Sequence, residues 1–423
     1  VLSLKQHLKR GVEFLLARLV AQKLKRTRPI IIGITGSYGK TSTKEAVYEV
    51  LKKKWRVYRN PKSLNTEIGL LLAILQQPSG FRSPIKWAKV FVGALWDAFF
   101  SAQYDFLILE YGADKPGDIA HLVSLVKPHV GIITHIAQTH QAEGQFQNIE
   151  EVFEEKGKLV ACLEKSDIAI LNHADPWLKK LGGRLDAKTF WFNGKDLSAS
   201  NLKNTAYGFS AAIQNHQQKI HAAFAVAGAY HIDVLLPALL CGTLHGVPLE
   251  EGVKALQGFR LPPGRMSIIE GKSGSTLLDS TYNASPQTVE QALTLLRDFP
   301  GKRKIAVLGN MNELGKFSLE AHRAVGAKIG DWIDLLITVG VQAVEVADQA
   351  LKNGFPKTRM KVLFEAQETA EFLLSRIKKG DVILFKGSQN NVRLERAVKI
   401  LMLHPEDANK LLCRQESEWD HIE

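Results

Sequence analysis

Residues 30–42 constrain this chain more than any other stretch. An apolar, β-rich run at 30–34 leads into Thr35-Gly36-Ser37-Tyr38-Gly39-Lys40-Thr41-Ser42, after which Ala46, Val47, Val50 and Leu51 recur at helical spacing. A strand, a glycine-rich turn and a helix in that order make a phosphate cradle. Gly36 and Gly39 let the backbone curl, so that the N–H groups from Gly36 to Ser42 can face phosphate oxygens at the positive end of a helix. Lys40 adds a charge and Thr41 a hydroxyl suited to Mg²⁺. The position five before Gly39 is Ile34, so the full GxxxxGK[ST] spacing is not met and only GxxGKT is present. The competing possibility is a glycine-rich turn before a surface helix. The strand before and the helix after favour a nucleotide site.

Beyond this segment the chain alternates short β-rich runs with helical stretches, the pattern of an α/β protein with a largely parallel sheet. Strands are expected at 106–109, 130–134 and 168–171, and a second series at 276–278, 305–308, 335–339 and 382–385. Between the two series stands Leu261-Pro262-Pro263-Gly264, which resists both helix and central strand. The main boundary is expected there, dividing the chain into a basic segment 1–29, a nucleotide domain 30–261 and a second domain 262–423. The charged end 414–423 is expected to fray.

The longest apolar stretch, 90–100, is broken by Asp97 and is too short for a bilayer span. Cys162, Cys241 and Cys413 lie far apart and offer neither a CxxC metal spacing nor a disulfide framework, which fits a reducing cytoplasm. The formal charge is +12. No nucleic-acid recognition motif accompanies it, so anionic small substrates or a membrane surface are the expected partners rather than nucleic acid. Much of the excess lies in the first 28 residues, where eight Lys and Arg surround the apolar series Leu4, Leu8, Val12, Leu15 and Leu19. This one-faced helix is expected to dock on the body of the protein; the alternative is peripheral contact with an anionic membrane.

Three further residues carry potential chemistry. Glu110 stands at the carboxyl end of a buried strand, where open α/β sheets bind ligands. His140 follows the strand at 130–134, and Lys156 falls in a helix expected at 150–163. Taken singly, they read as a capping carboxylate, a loop histidine and a solvated lysine, and spacing alone does not make them converge.

Ordered motifs along the chain resemble the Mur ligases of cell-wall synthesis: TGSYGKTSTKE (35–45), NTEIG (65–69), LEYGADKPGDI (109–119), EKGKL (155–159), GRM (264–266), LDSTYNASP (278–286), LGNMNELG (308–315), KGS (386–388) and RLE (393–395). YNASP and NELG look most like the branch that joins D-alanyl-D-alanine to a UDP-N-acetylmuramoyl-tripeptide. The resemblance implies a P-loop ATPase domain with a parallel-rich sheet, followed by a smaller Rossmann-like α/β domain. It also implies a monomer that uses ATP and Mg²⁺ to activate a carboxylate as an acyl phosphate and join it to an amine. Carried over residue by residue, it gives Lys40 and Thr41 to the ATP phosphates and Mg²⁺, and makes Glu110 and His140 metal-binding positions. Lys156 matches a lysine carbamylated by CO₂, and a carbamate is an oxygen donor suited to a hard cation. Asn65 is expected in the wall of the substrate site, with Arg265, Tyr282 and Asn283 around the nucleotide.

Some positions depart from the pattern. Full-length members of the branch carry a substantial N-terminal domain that grips the uridine nucleotide, whereas 29 residues precede the first ATPase strand here, so recognition of the donor is expected to differ or to involve the basic helix. In the segment resembling GxHN, Ile232 replaces the usual Asn and Leu235 stands where a second Asn is common, so contacts to the base are expected to differ. Ser280 and Asn310 replace acidic residues. The remaining alternatives are a Mur-superfamily ligase with another donor or acceptor, and a non-enzymatic nucleotide-binding protein.

Overall fold

The computed structural model describes residues 4–60, 64–80, 83–138, 142–389, 392–416 and 419. The chain opens with helix α1 (Leu4–Thr27) and then builds a six-stranded sheet from β1 (Ile30–Thr35), β2 (Val57–Arg59), β3 (Phe106–Glu110), β4 (Val130–Ile133), β5 (Ile168–Asn172) and β6 (Lys188–Phe192). The order is β2-β3-β1-β4-β5-β6 and every pairing is parallel. Parallel strands need helical crossovers that cover both faces, so the central strands are apolar throughout. Ile31 to Thr35 of β1 are all buried.

The crossovers are α2 (Lys40–Leu51), α3 (Glu67–Ile74), α4 (Pro84–Phe100), α5 (Asp118–Leu125), α6 (Ile149–Ala161) and α7 (Pro176–Gly182), and α8 (Ile232–Leu244), which follows the next sheet, packs beside α2. One layer joins Ile32 and Ile34 to Val47 of α2 and Leu235 and Leu239 of α8. The opposite layer joins Ile31, Leu107 and Leu109 to Leu70 of α3 and Phe153 and Leu159 of α6. At about 1.5–3 kcal/mol per fully buried aliphatic side chain, these layers hold the strand ends in place.

A small antiparallel sheet, β7 (Ser198–Thr205), β8 (Gly208–Gln214) and β9 (Lys219–Phe224), follows. The third sheet comprises β10 (Ser267–Gly271), β11 (Ser275–Ser280), β12 (Arg303–Gly309), β13 (Leu335–Val339), β14 (Met360–Leu363) and β15 (Asp381–Lys386). Its order is β10-β11-β15-β12-β13-β14, parallel except for the β10–β11 hairpin. All eight anticipated strands form, within one or two residues at each end. Seven others were not anticipated: the first sheet's edge strands β2 and β6, β10 and β14 at the edges of the third sheet, and the whole of β7–β9.

Helix α1 docks on the body as expected, with Val12 and Leu19 of the anticipated line half-buried against the core, but the fully buried line is shifted by one residue. Leu16 and Val20 are buried, whereas Leu15 is exposed. The shift has an electrostatic cause. Lys23, one helical turn beyond Val20, is buried on the same face and pairs with the buried Asp97 of α4, while also donating to the Ile74 carbonyl. The chain end also differs from expectation at Arg414, which is buried rather than frayed. Its guanidinium reaches Glu395, itself paired with Arg393, and donates to the Tyr282 carbonyl. No described helix is long and apolar enough to cross a membrane.

Candidate active site

In the first sheet the order reverses around β1, which lies between β3 and β4. The crevice beyond the strand ends at such a point is where α/β sheets bind ligands. The loop 36–39 leaves β1 there and enters α2 with Gly39 at its N-cap, φ 83°. Gly36 has φ 147°, and a Cβ on it would lie 2.0 Å from the Thr134 hydroxyl oxygen, so no side chain fits. The β4 end clamps the loop. Thr134 donates to the Tyr38 carbonyl at 2.6 Å, the Ser37 N–H donates to the His135 carbonyl at 2.8 Å, and the Ser37 hydroxyl donates to the Ala137 carbonyl at 2.8 Å.

Glu110 is the last residue of β3, in register with Ile34, and is buried. Thr41, in the first turn of α2, donates its hydroxyl to Glu110 at 3.0 Å and accepts from Arg265 Nη2 at 3.0 Å. Lys40 Nζ donates to the Gly36 carbonyl at 2.8 Å, and burial lowers its pKa. Lys156 is fully buried on α6, and its amine has no hydrogen-bond partner among the described residues. Burial, reinforced by the nearby Lys40 charge, pushes its pKa down to about 7. The solvated-lysine possibility is therefore excluded.

Asn65 is held at the mouth of α3, whose N-cap Thr66 accepts from the Gly69 N–H, and its carbonyl accepts from the Gly112 N–H at 3.2 Å. Arg265 arrives from the second half of the chain between Gly264 and Met266, both in the left-handed region. Its guanidinium stacks over the Tyr282 ring at 3.8 Å. Lys386, the last residue of β15, is buried and donates to the carbonyls of Ser280 and Asn283. Burial, then the Arg265 charge, pushes its pKa down to about 7.

One cleft is lined by Ser37 to Ser42, Asn65, Glu110, Arg265, Tyr282 and Asn283, so residues from both halves of the chain meet there. Lys156, near enough to Lys40 to feel its charge, is not part of the cleft wall, and Gly36 shapes the loop. His140 lies outside the described residues. Among those described, no group of three or more His, Cys, Asp or Glu side chains is arranged to hold a metal.

The cleft also contains residues that sequence alone did not single out. His135, directly after Thr134, stacks on Tyr38 with centroids 4.7 Å apart and bonds Asp233 at 2.9 Å. Burial alone would lower its pKa, but the carboxylates of Asp175, 3.7 Å away, and of Asp233 overcome that and raise it to about 9. Asn193 donates to the same Asp233 carboxylate at 2.7 Å. Ile232 and Leu235 are both buried apolar residues of the core, whereas Asp233 and Val234 line the cleft. Asn310 accepts from the Gln342 and Ala343 N–H groups and lies outside the cleft wall. Ser280 is in that wall.

Comparison with known proteins gives this arrangement its context. Residues 34–242 match the Mur ligase middle domain, and residues 264–389 match the Mur ligase, glutamate ligase domain. The UDP-N-acetylmuramoyl-tripeptide–D-alanyl-D-alanine ligase of Bacillus subtilis is 28% identical over 378 residues, covering 89% of this chain and 76% of the relative. The Escherichia coli ligase of the same name is 27% identical over 88% of this chain and 76% of its own length. Among solved structures, the MurF ligase of Thermotoga maritima in complex with ADP superposes with a TM-score of 0.74 at 27% identity, covering 94% of this chain and 84% of that one. A Mycobacterium tuberculosis folylpolyglutamate synthase complexed with ADP shares the fold at a TM-score of 0.66 and 16% identity. Two family models in tandem, covering most of the chain on either side of Gly264, establish that it belongs to the Mur ligase family.

Proposed function

We propose that this ligase joins the free carboxylate of a UDP-N-acetylmuramoyl-tripeptide to the amine of D-alanyl-D-alanine, with ATP consumed to ADP and phosphate. The observation that carries the proposal is the meeting, in one cleft, of the phosphate loop and Glu110 with Arg265, Tyr282 and Asn283 from the other half of the chain. The relatives named above supply the identity of donor and acceptor. We divide the chain into a basic segment 1–29, an ATPase domain 30–261 and a C-terminal domain 262–423, acting as a cytoplasmic monomer without nucleic acid.

A carboxylate is a poor electrophile, so one of its oxygens attacks the γ-phosphorus of ATP and the bond to ADP breaks. The acceptor amine then attacks the acyl carbon, the C–O bond to phosphate breaks, and the amine gives up a proton as the amide forms. The protein's task is positioning and charge. The loop N–H groups of Gly36 and of Tyr38 to Ser42 and the Lys40 ammonium receive phosphate oxygens, while the Ser37 N–H is held by the His135 carbonyl, and Arg265 brings a second cation to the same place. Asn65 orients the carboxylate donor, and Tyr282 and Asn283 bound the nucleotide.

Mg²⁺ fits these residues. The Thr41 hydroxyl and the buried Glu110 carboxylate are oxygen donors 3.0 Å apart, and the buried Lys156 amine, without a hydrogen-bond partner among the described residues, is suited to react with CO₂ to give a further one. Together with His140 these residues would hold the ion, which offsets the negative charge of phosphate and carboxylate when bound. Phosphate release is the test. Omitting either UDP-N-acetylmuramoyl-tripeptide or D-alanyl-D-alanine should reduce turnover to background, whereas release independent of both would reject the assignment.

A further inference from the structure

We propose that the α1–α4 face of this protein is a docking surface for an anionic phospholipid bilayer, on which the protein lies without spanning. Helix α4 is apolar on two sides. One line, Val90, Ala94, Asp97 and Ala98, is buried against the body. The outward line, Ile85, Val92, Leu95, Trp96, Phe99 and Phe100, is exposed at helical spacing. Trp96 and Phe100 are each 67% exposed, with rings 4.6 Å apart. Helix α1, packed on α4, exposes Phe14 and Leu15 as well. A water-facing helix normally turns charge outward, and a clustered aromatic stripe is the mark of a surface that is covered in use.

The charges identify the cover. Each acidic side chain on these two helices is engaged within the protein: Asp97 by Lys23, and Glu13 by His121 at 2.6 Å. The exposed cations Arg10, Arg18, Lys25, Lys86 and Lys89 have no acidic partner among the described residues. Arg18 lies over the Phe14 ring at 4.9 Å, an apolar and a cationic group presented together. Aromatic rings rimmed by unpaired cations match the interfacial region of a bilayer, where rings enter the acyl boundary and cations meet lipid phosphates. Neither helix can cross, so the contact is peripheral. The buried Lys23–Asp97 pair fixes the two helices as one plate. No residue lining the cleft lies on α1 or α4, so docking leaves the active site open.

The test is co-sedimentation of the whole chain with vesicles of phosphatidylcholine alone or with one-quarter phosphatidylglycerol. Partitioning onto the anionic vesicles should be at least about tenfold stronger, and about 0.5 M salt should remove most of that gain. The double variant Trp96→Glu/Phe100→Glu should lose about tenfold or more in binding, with unchanged melting temperature and phosphate release, while Trp96→Phe should keep it. Absence of binding to anionic vesicles, or equal binding by the double variant, overturns the proposal. So does a lipid-free dimer in sedimentation velocity that the double variant dissociates, since the face would then belong to a second copy of the chain.

Discussion

Replacing Lys156 by methionine should remove ligase activity while leaving the protein at least as stable as before. The side chain is fully buried, its amine has no hydrogen-bond partner among the described residues, and its pKa falls from 10.5 to about 7. At about 1.4 kcal/mol per pH unit, that drop corresponds to an upper bound of roughly 5 kcal/mol by which the folded state disfavours the charged amine. The folded state releases the proton more readily than the unfolded chain, so the penalty is full below pH 7 and is relieved as pH rises toward 10.5. The same drop makes the free amine about half of the population at pH 7, against roughly one part in three thousand for an ordinary lysine. That gain of about a thousandfold is what carbamylation by CO₂ needs. Thermal melts in CO₂-free buffer should show the methionine variant ahead of the parent at pH 6, with the difference shrinking by pH 9. Turnover of the parent should fall in CO₂-free buffer and recover with bicarbonate, and labelled bicarbonate should give a carbamate signal in ¹³C NMR that the variant lacks. Lys156→Arg should be inactive, because guanidinium does not form this carbamate. A fully active Lys156→Arg protein, or one whose parent is indifferent to CO₂, would refute the reasoning.

Further outcomes follow from the cleft. Lys40→Ala should lower kcat by about a thousandfold or more with the melting temperature preserved, since the amine supplies charge to the phosphates rather than core packing; circular dichroism and phosphate release check both halves. Gly36→Ala should lose nucleotide binding and destabilise the protein by about 2 kcal/mol or more, because its Cβ would lie 2.0 Å from the Thr134 hydroxyl oxygen; calorimetric titration with ADP and urea unfolding measure the two effects. His135, held at about 9 by Asp175 and Asp233, contributes up to roughly 3 kcal/mol of stability. That contribution is fully present below pH 6.5 and is lost as pH rises through 9, so His135→Gln should narrow the stability difference between pH 6 and pH 10 in denaturant titrations.

How much of this was legible depends on the physical signal each element leaves. Central strands such as β1, β3 and β4 are buried on both faces and read as continuous apolar runs. Edge strands such as β2 carry mixed residues, and β7, with the sequence SASNLKNT, is polar and half-exposed, so neither stands out. The phosphate loop is legible because glycine and lysine at that spacing have few other uses, and Glu110 because it ends an apolar run. Lys156 also leaves a signal in the sequence. In α6 it stands at helical spacing between Val152 and Phe153 on one side and Leu159 and Val160 on the other, all buried, so an apolar stripe runs through it. His135 obeys the same strand-end rule as Glu110, one position past Thr134. Its partners Asp175 and Asp233 come from segments far along the chain, and only the fold brings them together.

On the proposed function, a donor carboxylate is activated by phosphoryl transfer in the cleft between Lys40 and Arg265. The most direct measurement follows ¹⁸O from a tripeptide donor labelled in both oxygens of its reacting carboxylate, with mass analysis of the phosphate released during amide synthesis. Attack of a carboxylate oxygen on phosphorus, followed by cleavage of the acyl C–O bond, leaves one labelled oxygen in each phosphate and the other in the amide carbonyl. That single label is expected in every turnover. Unlabelled phosphate released alongside amide product would contradict it.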